Sequence, residues 1–570
     1  MPEKTAGEDR LYEAEAVRRR ALAGKCREGS GVFGMVTISG QTVHKKTVIG
    51  RLQYLSKTHP ELLRTPAADV QAELAAFRKA KAEVVGRLHE LYRESVSKVG
   101  ELLAHTFEIH AMMVEDEAYS GMVESLIGSE KVTAAYAVAA TGRHYAQMLA
   151  QMEDPYFRSR SDDITEITER LTDVLLGNTR EVVLTEPVIL MAEDLAPGET
   201  MQLDHSRILG IVTHLGSESS HAAILARTMN LPAVTAIAIR DEWDGHEAVL
   251  DGENGLLIVD PDEETKAAYA EKIQRKMQEE EELRALLPLP CETKSRVRIP
   301  LYANVGSVAD AAAAAEKGAE GIGLLRTEFL CLAGEDFPTE EQQFETYKSV
   351  LTAIQGKPVT IRTFDLGSDK RAAYMNLPKE NNPDLGFRAI RVSLAEEEPF
   401  RAQLRAILRV SAYGQVSVMY PMITAEWEIR RIQGIFREER EKLENAGVPL
   451  GGLRCGIMIE TPAAAIICDR LMPYIDFVSI GTNDLTQYLL AADRSNPYVA
   501  PYYDSRHEAV LRTIAHVVNT ARGYGVEVNI CGELAADTTA TKDLVELGIA
   551  GLSVAPGALL SVKRAVRGLD

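Results

Sequence analysis

Eight short apolar stretches decide the fold of this chain: VRIPLYANVG (297–306), GIGLLRTEF (321–329), PVTIRTFDLG (358–367), VSVMYPMIT (416–424), RCGIMIETP (454–462), FVSIGTND (477–484), EVNICGEL (527–534) and GLSVAP (551–556). Helix-patterned stretches separate most of them. Eight β–α units in about 270 residues match a TIM barrel in number and size. Alternation by itself also fits an open, doubly wound sheet; the count of eight favours the closed barrel.

Upstream of the barrel, PDEETKAAYAEKIQRKMQEEEELRALLPLP (261–290) is highly charged, helical in pattern and ends in prolines, which predicts a solvated linker helix. Before it, EVVLTEPVILMAE (181–193), RILGIVT (207–213) and EAVLDGENGLLIVD (247–260) read as strands, and SSHAAILARTMN (219–230) as a helix. Strand signals also occur in GVFGMVTISG (31–40) and KKTVIG (45–50). Between these groups, AADVQAELAAFRKAKAEVVGRLHELYRESVSKVGELL (67–103) carries apolar residues at three- and four-residue spacing with almost no breakers. The pattern continues past Pro155 and predicts a helical bundle. The expected organisation is therefore an N-terminal extension (1–26), an α/β domain (27–62 with 179–262), a helical insertion (63–178), a linker helix (263–290) and the barrel (291–570).

Barrel chemistry sits at the C-terminal ends of the strands. There the chain places Arg326-Thr327-Glu328, then Arg362 followed by Asp365, Asp369 and Lys370, then Glu460, Asn483-Asp484, and Cys531-Gly532-Glu533, with Arg388 and Arg494 in nearby loops. Arginine forks match phosphate and carboxylate oxygens bidentately. Carboxylates on adjacent strands suit a hard divalent ion such as Mg²⁺, which keeps waters and binds substrate oxygens. The set describes a site for a small, multiply charged phosphate ester, with phosphoryl transfer driven by positioning and charge neutralisation. Cys531 is the one cysteine at this rim: a thiol there can serve as a general acid, although a cysteine taken alone is more often a small core residue.

A second candidate lies outside the barrel. In GSESSHAAILARTMN (216–230), His221 falls at the first turn of a helix that follows a Gly/Ser loop. Unpaired N–H groups and the helix dipole favour negative charge there. One imidazole nitrogen can attack phosphorus while the other is held by a hydrogen bond.

Composition sets the outer limits. The 570 residues are 45% apolar and carry a formal net charge of −21, so a general nucleic-acid binder, which needs a basic face, is excluded. No apolar run approaches the roughly 18 residues of a membrane span, and the charged N-terminus lacks the apolar core of a signal peptide. The six cysteines form no C-x-x-C pair. These features predict a soluble, cytoplasmic protein.

Long motifs in a fixed order carry a family resemblance: GIGLLRTEFL, PTEEQQFETYKSV, NPDLGFRAIRVSL, IETPAAA, FVSIGTNDLTQY, CGELAAD and GSESSHAAILARTMNLPAV. From about residue 30 onward the chain resembles the phosphoenolpyruvate–protein phosphotransferases, enzyme I of the bacterial sugar phosphotransferase system. The resemblance implies a swivelling phosphohistidine α/β domain, an inserted bundle that docks the histidine phosphocarrier HPr, and a barrel that binds phosphoenolpyruvate and forms a homodimer. It implies that His221 is phosphorylated on Nε2 and that Thr200 orients its ring. Arg326, Arg362, Lys370, Arg388, Asn483 and Arg494 would bind substrate, Glu460 and Asp484 would hold Mg²⁺, and Cys531 would protonate the enolate.

The chain departs from the family pattern at three glycine positions, which here are Ser217, Ser368 and Ala536. A Cβ there can strain a loop or block close approach to phosphate. Two other readings share parts of this pattern. A dikinase would need a nucleotide-binding domain, for which no segment is evident. A phosphorylation-state sensor would show slow turnover and state-dependent binding of another protein.

Overall fold

A computed structural model of the protein describes residues 34–55, 62–99, 101–152, 155–177, 184, 186–195, 203–216, 220–332, 334, 336–367, 374–375 and 377–570. Residues 1–26, Thr200, Ser217, Ser368 and Lys370 lie outside them, as does the side chain of His221. The chain divides into two compact units, Met1–Lys276 and Met277–Asp570.

The first unit is built on an eight-stranded sheet ordered β1-β8-β7-β3-β4-β5-β6-β2. The strands are β1 (Val36–Ser39), β2 (Gln41–His44), β3 (Thr47–Leu55), β4 (Val188–Ala192), β5 (Ile208–Thr213), β6 (Ala233–Thr235), β7 (Glu247–Asp251) and β8 (Leu256–Val259). β3 to β6 are parallel, and β1, β7, β8 and β2 are joined on antiparallel. A central strand covered on both faces reads as a continuous apolar run, and every residue of β4 (VILMA) is buried. Its alternate side chains enter two cores. Val188, Leu190 and Ala192 pack with Ala222, Leu225 and Ala226 of the helix His221–Thr228, whereas Ile189 and Met191 pack with Trp243, Leu250 and Leu257.

Between β3 and β4 the described residues form five helices, Val70–Val99, Glu101–Glu115, Glu117–Glu130, Ala134–Ala150 and Pro155–Leu176. Their apolar stripes close over one core that includes Phe77, Leu88, Phe107, Val123, Val138 and Leu171.

The helix Glu263–Arg284 differs from the expected solvated linker in two respects. It stops at Arg284 rather than running to 290. Its first turns are also tied to the sheet: Lys266 pairs with Glu247 at 2.8 Å, and the Tyr269 hydroxyl and Lys272 ammonium donate to the buried Asp251 at 3.0 and 3.1 Å. Charge density alone could not reveal this, because the anion that anchors the helix lies inside a strand.

The second unit is a closed barrel of eight parallel strands, β9 (Leu301–Val305), β10 (Ile322–Leu325), β11 (Val359–Arg362), β12 (Val416–Tyr420), β13 (Leu453–Ile459), β14 (Phe477–Ile480), β15 (Glu527–Ile530) and β16 (Gly551–Val554). β16 pairs back onto β9. One buried cluster joins Leu324, Met419, Met458, Phe477 and Cys531, drawn from or just beyond five strands. A larger apolar layer joins the strands to the surrounding helices. Short strands that give way to helices place polar residues at the mouth: Glu328 opens the helix Glu328–Leu332, Thr461 caps Pro462–Ile466, and Asp484 lies in the first turn of Thr482–Leu490.

Candidate active site at the barrel mouth

Two arginines and four carboxylates form a continuous network, buried except at the partly exposed Asp384. Arg362 and Arg388 are only 5% and 3% exposed. Arg362 Nη2 donates to Glu328 Oε1 at 2.8 Å, and Nη1 lies 3.1 Å from Asp365 Oδ2. Arg388 Nη2 reaches both oxygens of Asp365 at 3.0 Å. Its Nη1 lies 3.5 Å from Asp384 and 3.6 Å from Asp484. Tyr488 ties the loop that carries Arg388: its hydroxyl donates to the Asp384 carbonyl and accepts from Arg388 Nη1 at 3.3 Å. Burial on this scale is tolerable only because each cation meets anions and hydrogen-bond acceptors.

Arg362 Nε and Asp484 Oδ1 of this network, and Oε2 of the nearby Glu460, have no hydrogen-bond partner among the described residues. They comprise one donor suited to an anion and two acceptors suited to a cation. Glu460 is fully buried, and its Oε1 accepts from the Met422 N–H at 2.7 Å. Met422 holds a left-handed backbone (φ 57°), a strained conformation of the kind that clusters at functional sites. Burial, reinforced by the charges of Asp484 and Asp365, pushes the Glu460 carboxyl up to about 8.

The described residues contain no group of three or more His, Cys, Asp or Glu side chains placed to hold a metal. Two carboxylates with oxygens that lack hydrogen-bond partners nevertheless fit Mg²⁺, which is bound by one or two carboxylates plus waters and substrate oxygens. The fit does not extend to an ion that demands a full protein cage.

The other mouth residues frame this network. Arg494 is exposed, with Nη2 3.9 Å from Asp484 Oδ1. Arg326 is exposed, and its charge, like that of Arg362, lowers the pKa of Cys531. Burial outweighs both and pushes the thiol up to about 11, so it is protonated at neutral pH. Asn483 is locked to the β15 loop: Oδ1 accepts from the Glu533 N–H at 2.8 Å and Nδ2 donates to Glu533 Oε1 at 3.2 Å. Gly532 permits this contact, because a Cβ there would lie 1.8 Å from Thr482 Oγ1 and 2.7 Å from its backbone nitrogen.

The barrel thus brings together Arg362, Arg388, Asp484 and Arg494 through ion pairs that share Asp365 and Asp484, with Glu460 and Cys531 linked to them electrostatically. His221 belongs to the other unit. It is the first residue of the helix His221–Thr228, and the Ser220 side chain caps that helix by accepting from the Ala223 N–H at 3.3 Å. The preceding turn uses Gly216 at φ 112°, a conformation that favours glycine. Asp365 was visible at a strand end, but its bridging of two arginines was not; Asp384 and Tyr488 lie inside the motifs NPDLGFRAIRVSL and FVSIGTNDLTQY, where nothing in the sequence singled them out.

Fold and site together define a class. Models of PEP-utilising enzymes match three successive stretches: the N-terminal domain over residues 39–160, the mobile domain over 184–255 and the PEP-binding domain over 280–570. Full-length relatives narrow this further. The phosphoenolpyruvate-protein phosphotransferase of Bacillus sp. (strain S) is 38% identical over 538 residues, covering 94% of this chain and 93% of its own length. That of Priestia megaterium is 39% identical over 524 residues, covering 90% and 91%, and that of Bacillus subtilis (strain 168) is 38% identical over 508, covering 88% and 89%. The chain belongs to the phosphoenolpyruvate-protein phosphotransferase family.

Proposed function

We propose that this protein moves the phosphoryl group of phosphoenolpyruvate to Nε2 of His221 and then to a histidine of the phosphocarrier HPr, releasing pyruvate, as the first step of a sugar phosphotransferase system. The reading is supported by the buried arginine pair at the barrel mouth, beside which one guanidinium donor and two carboxylate oxygens have no hydrogen-bond partner among the described residues.

Arg326, Arg362, Lys370, Arg388 and Arg494 bind the phosphate and carboxylate of the donor, and Asn483 orients it. Glu460 and Asp484 would hold Mg²⁺, which when bound would neutralise phosphate charge. His221 attacks phosphorus in line, with Thr200 holding Nδ1. The P–O bond to the enol oxygen breaks as the N–P bond forms. The enolate collapses to the ketone as its C3 takes the proton of Cys531, and the resulting thiolate recovers a proton from water. The phosphohistidine then passes its group to a carrier docked on the helical insertion 63–178. One imidazole that serves both a donor and a protein acceptor must move between them.

The barrel is the proposed dimer interface; Trp427 and Ile466, 63% and 73% exposed on successive barrel helices, support that reading. None of the described helices is long and apolar enough to cross a membrane, and a cytoplasmic location follows from the chemistry of the donor.

The test uses phosphoenolpyruvate labelled at phosphorus, with Mg²⁺ and a purified carrier. The protein should acquire acid-labile, base-stable label and pass it on, with pyruvate released. Label retained by His221→Ala would sink the assignment.

A further inference from the structure

Cys531 sits just beyond the point where its strand loses its partner. Pairing between β15 and β16 ends with Ile530 opposite Leu552. A side chain from β9 takes over at the next residue. Asn304 Nδ2 donates to the Cys531 carbonyl at 2.8 Å and to the Ser553 carbonyl at 3.1 Å. Asn304 Oδ1 accepts from the Ser553 hydroxyl at 2.6 Å. Two carbonyls require donors and the hydroxyl supplies a proton, so the orientation of the amide is fixed by its partners. From the opposite side, the Cys531 N–H donates to the Ile480 carbonyl at 3.1 Å, and Sγ lies 3.6 Å from the same oxygen. The residue is therefore gripped at its nitrogen by β14 and at its oxygen by Asn304.

We propose that Asn304, held by Ser553, is a positioning residue that sets the direction in which the Cys531 thiol delivers its proton. The inference rests on the reading of Cys531 as the acid. In that step the S–H bond breaks and a C–H bond forms at C3 of the enolate, whose oxygen becomes the pyruvate carbonyl. The carbonyl of Cys531 and its Sγ belong to one residue, so a backbone that turns by a small angle carries the thiol away from C3. A displacement near 1 Å costs on the order of a hundredfold in rate.

The step can be followed in reverse, as exchange of pyruvate methyl protons with D₂O in the presence of the full-length protein and Mg²⁺, observed by proton NMR. Asn304→Ala removes both donors. Asn304→Asp keeps the shape but turns an acceptor on two carbonyls. Exchange should fall about tenfold to a hundredfold in both, while phosphoenolpyruvate affinity stays within about twofold. Ser553→Ala should fall less, because Nδ2 remains in place.

A folded Asn304→Ala protein that exchanges at the wild-type rate overturns the inference. So does an equal loss of exchange and of phosphoenolpyruvate affinity, which would mark a collapsed barrel mouth. Cys531→Ala separates the two levels. If it exchanges normally, the acid assignment fails and takes this inference with it. If it is silent while the Asn304 variants exchange normally, only the role of Asn304 is lost.

Discussion

Arg388 grips the carboxylate of Asp365 with two of its nitrogens, Nη2 lying 3.0 Å from each oxygen and Nε 3.3 Å from Oδ1. The same carboxylate faces Arg362 Nη1 at 3.1 Å, so one buried anion sets the spacing of two cations. Removing one partner of a buried ionic network costs about 3–5 kcal/mol, because the remaining charge is left uncompensated. Asp365→Ala should lose about that much stability in denaturant unfolding. It should also weaken phosphoenolpyruvate binding in a direct titration, since Arg388 would be drawn toward Asp384 and Asp484. An unchanged unfolding midpoint would show that Asp365 does not organise the site.

Mg²⁺ should stabilise the protein through Glu460 and Asp484. At a hundred times its dissociation constant a ligand adds about 2.7 kcal/mol. The melting temperature should therefore rise with Mg²⁺ in the wild type and not in Glu460→Gln or Asp484→Asn. The Glu460 carboxyl, pushed up to about 8, is largely protonated at pH 7 and must lose that proton to ligate. Calorimetric titration in buffers of different ionisation heats should detect proton release at pH 7 and little at pH 9.

Gly532→Ala tests the seam between β14 and β15. The added methyl would overlap Thr482 Oγ1 and crowd the Thr482 nitrogen, so the two strand ends must separate. Overpacking of this kind costs about 1–3 kcal/mol. Because Asn483 is bonded to Glu533 across this seam, the Michaelis constant for phosphoenolpyruvate should rise as well. Thermal melting and steady-state pyruvate release read the two effects.

Acid stability of the barrel has an identifiable contributor. The Glu439 side chain is fully buried, and although burial favours its neutral form, Lys442, Arg401 and Arg405 hold it down to about 2. A depressed carboxylate contributes stability above its unfolded value, near 4.5, and loses it as pH falls through the folded value. Glu439→Gln should lose about 2 kcal/mol at pH 7. The gap to wild type should close between pH 4.5 and 2. Unfolding curves across that range decide it.

The order of elements was legible from pattern alone: eight apolar stretches ending in polar residues, a helical insertion between two strand groups, and a histidine opening a helix. Each depends on residues close together in the chain, where periodicity and capping act. The resemblance named Glu460, Asp484 and Arg388 within long contiguous motifs, and Arg362 at the end of a strand stretch. It was silent on Asn304, whose partner Cys531 lies 227 positions away.

The sequence by itself determined the architecture, the gathering of charged residues at the barrel mouth and the place of the candidate histidine, because local hydrophobic period and strand-end chemistry encode them. Only the tertiary structure decided that Asp365 holds both arginines, that Glu460 Oε2 and Asp484 Oδ1 lack hydrogen-bond partners among the described residues, and that the Asn304 side chain holds the backbone carbonyl of Cys531. Closing the barrel is what joins β16 to β9, and contacts made across that closure depend on three-dimensional register, which no local stretch of chain contains.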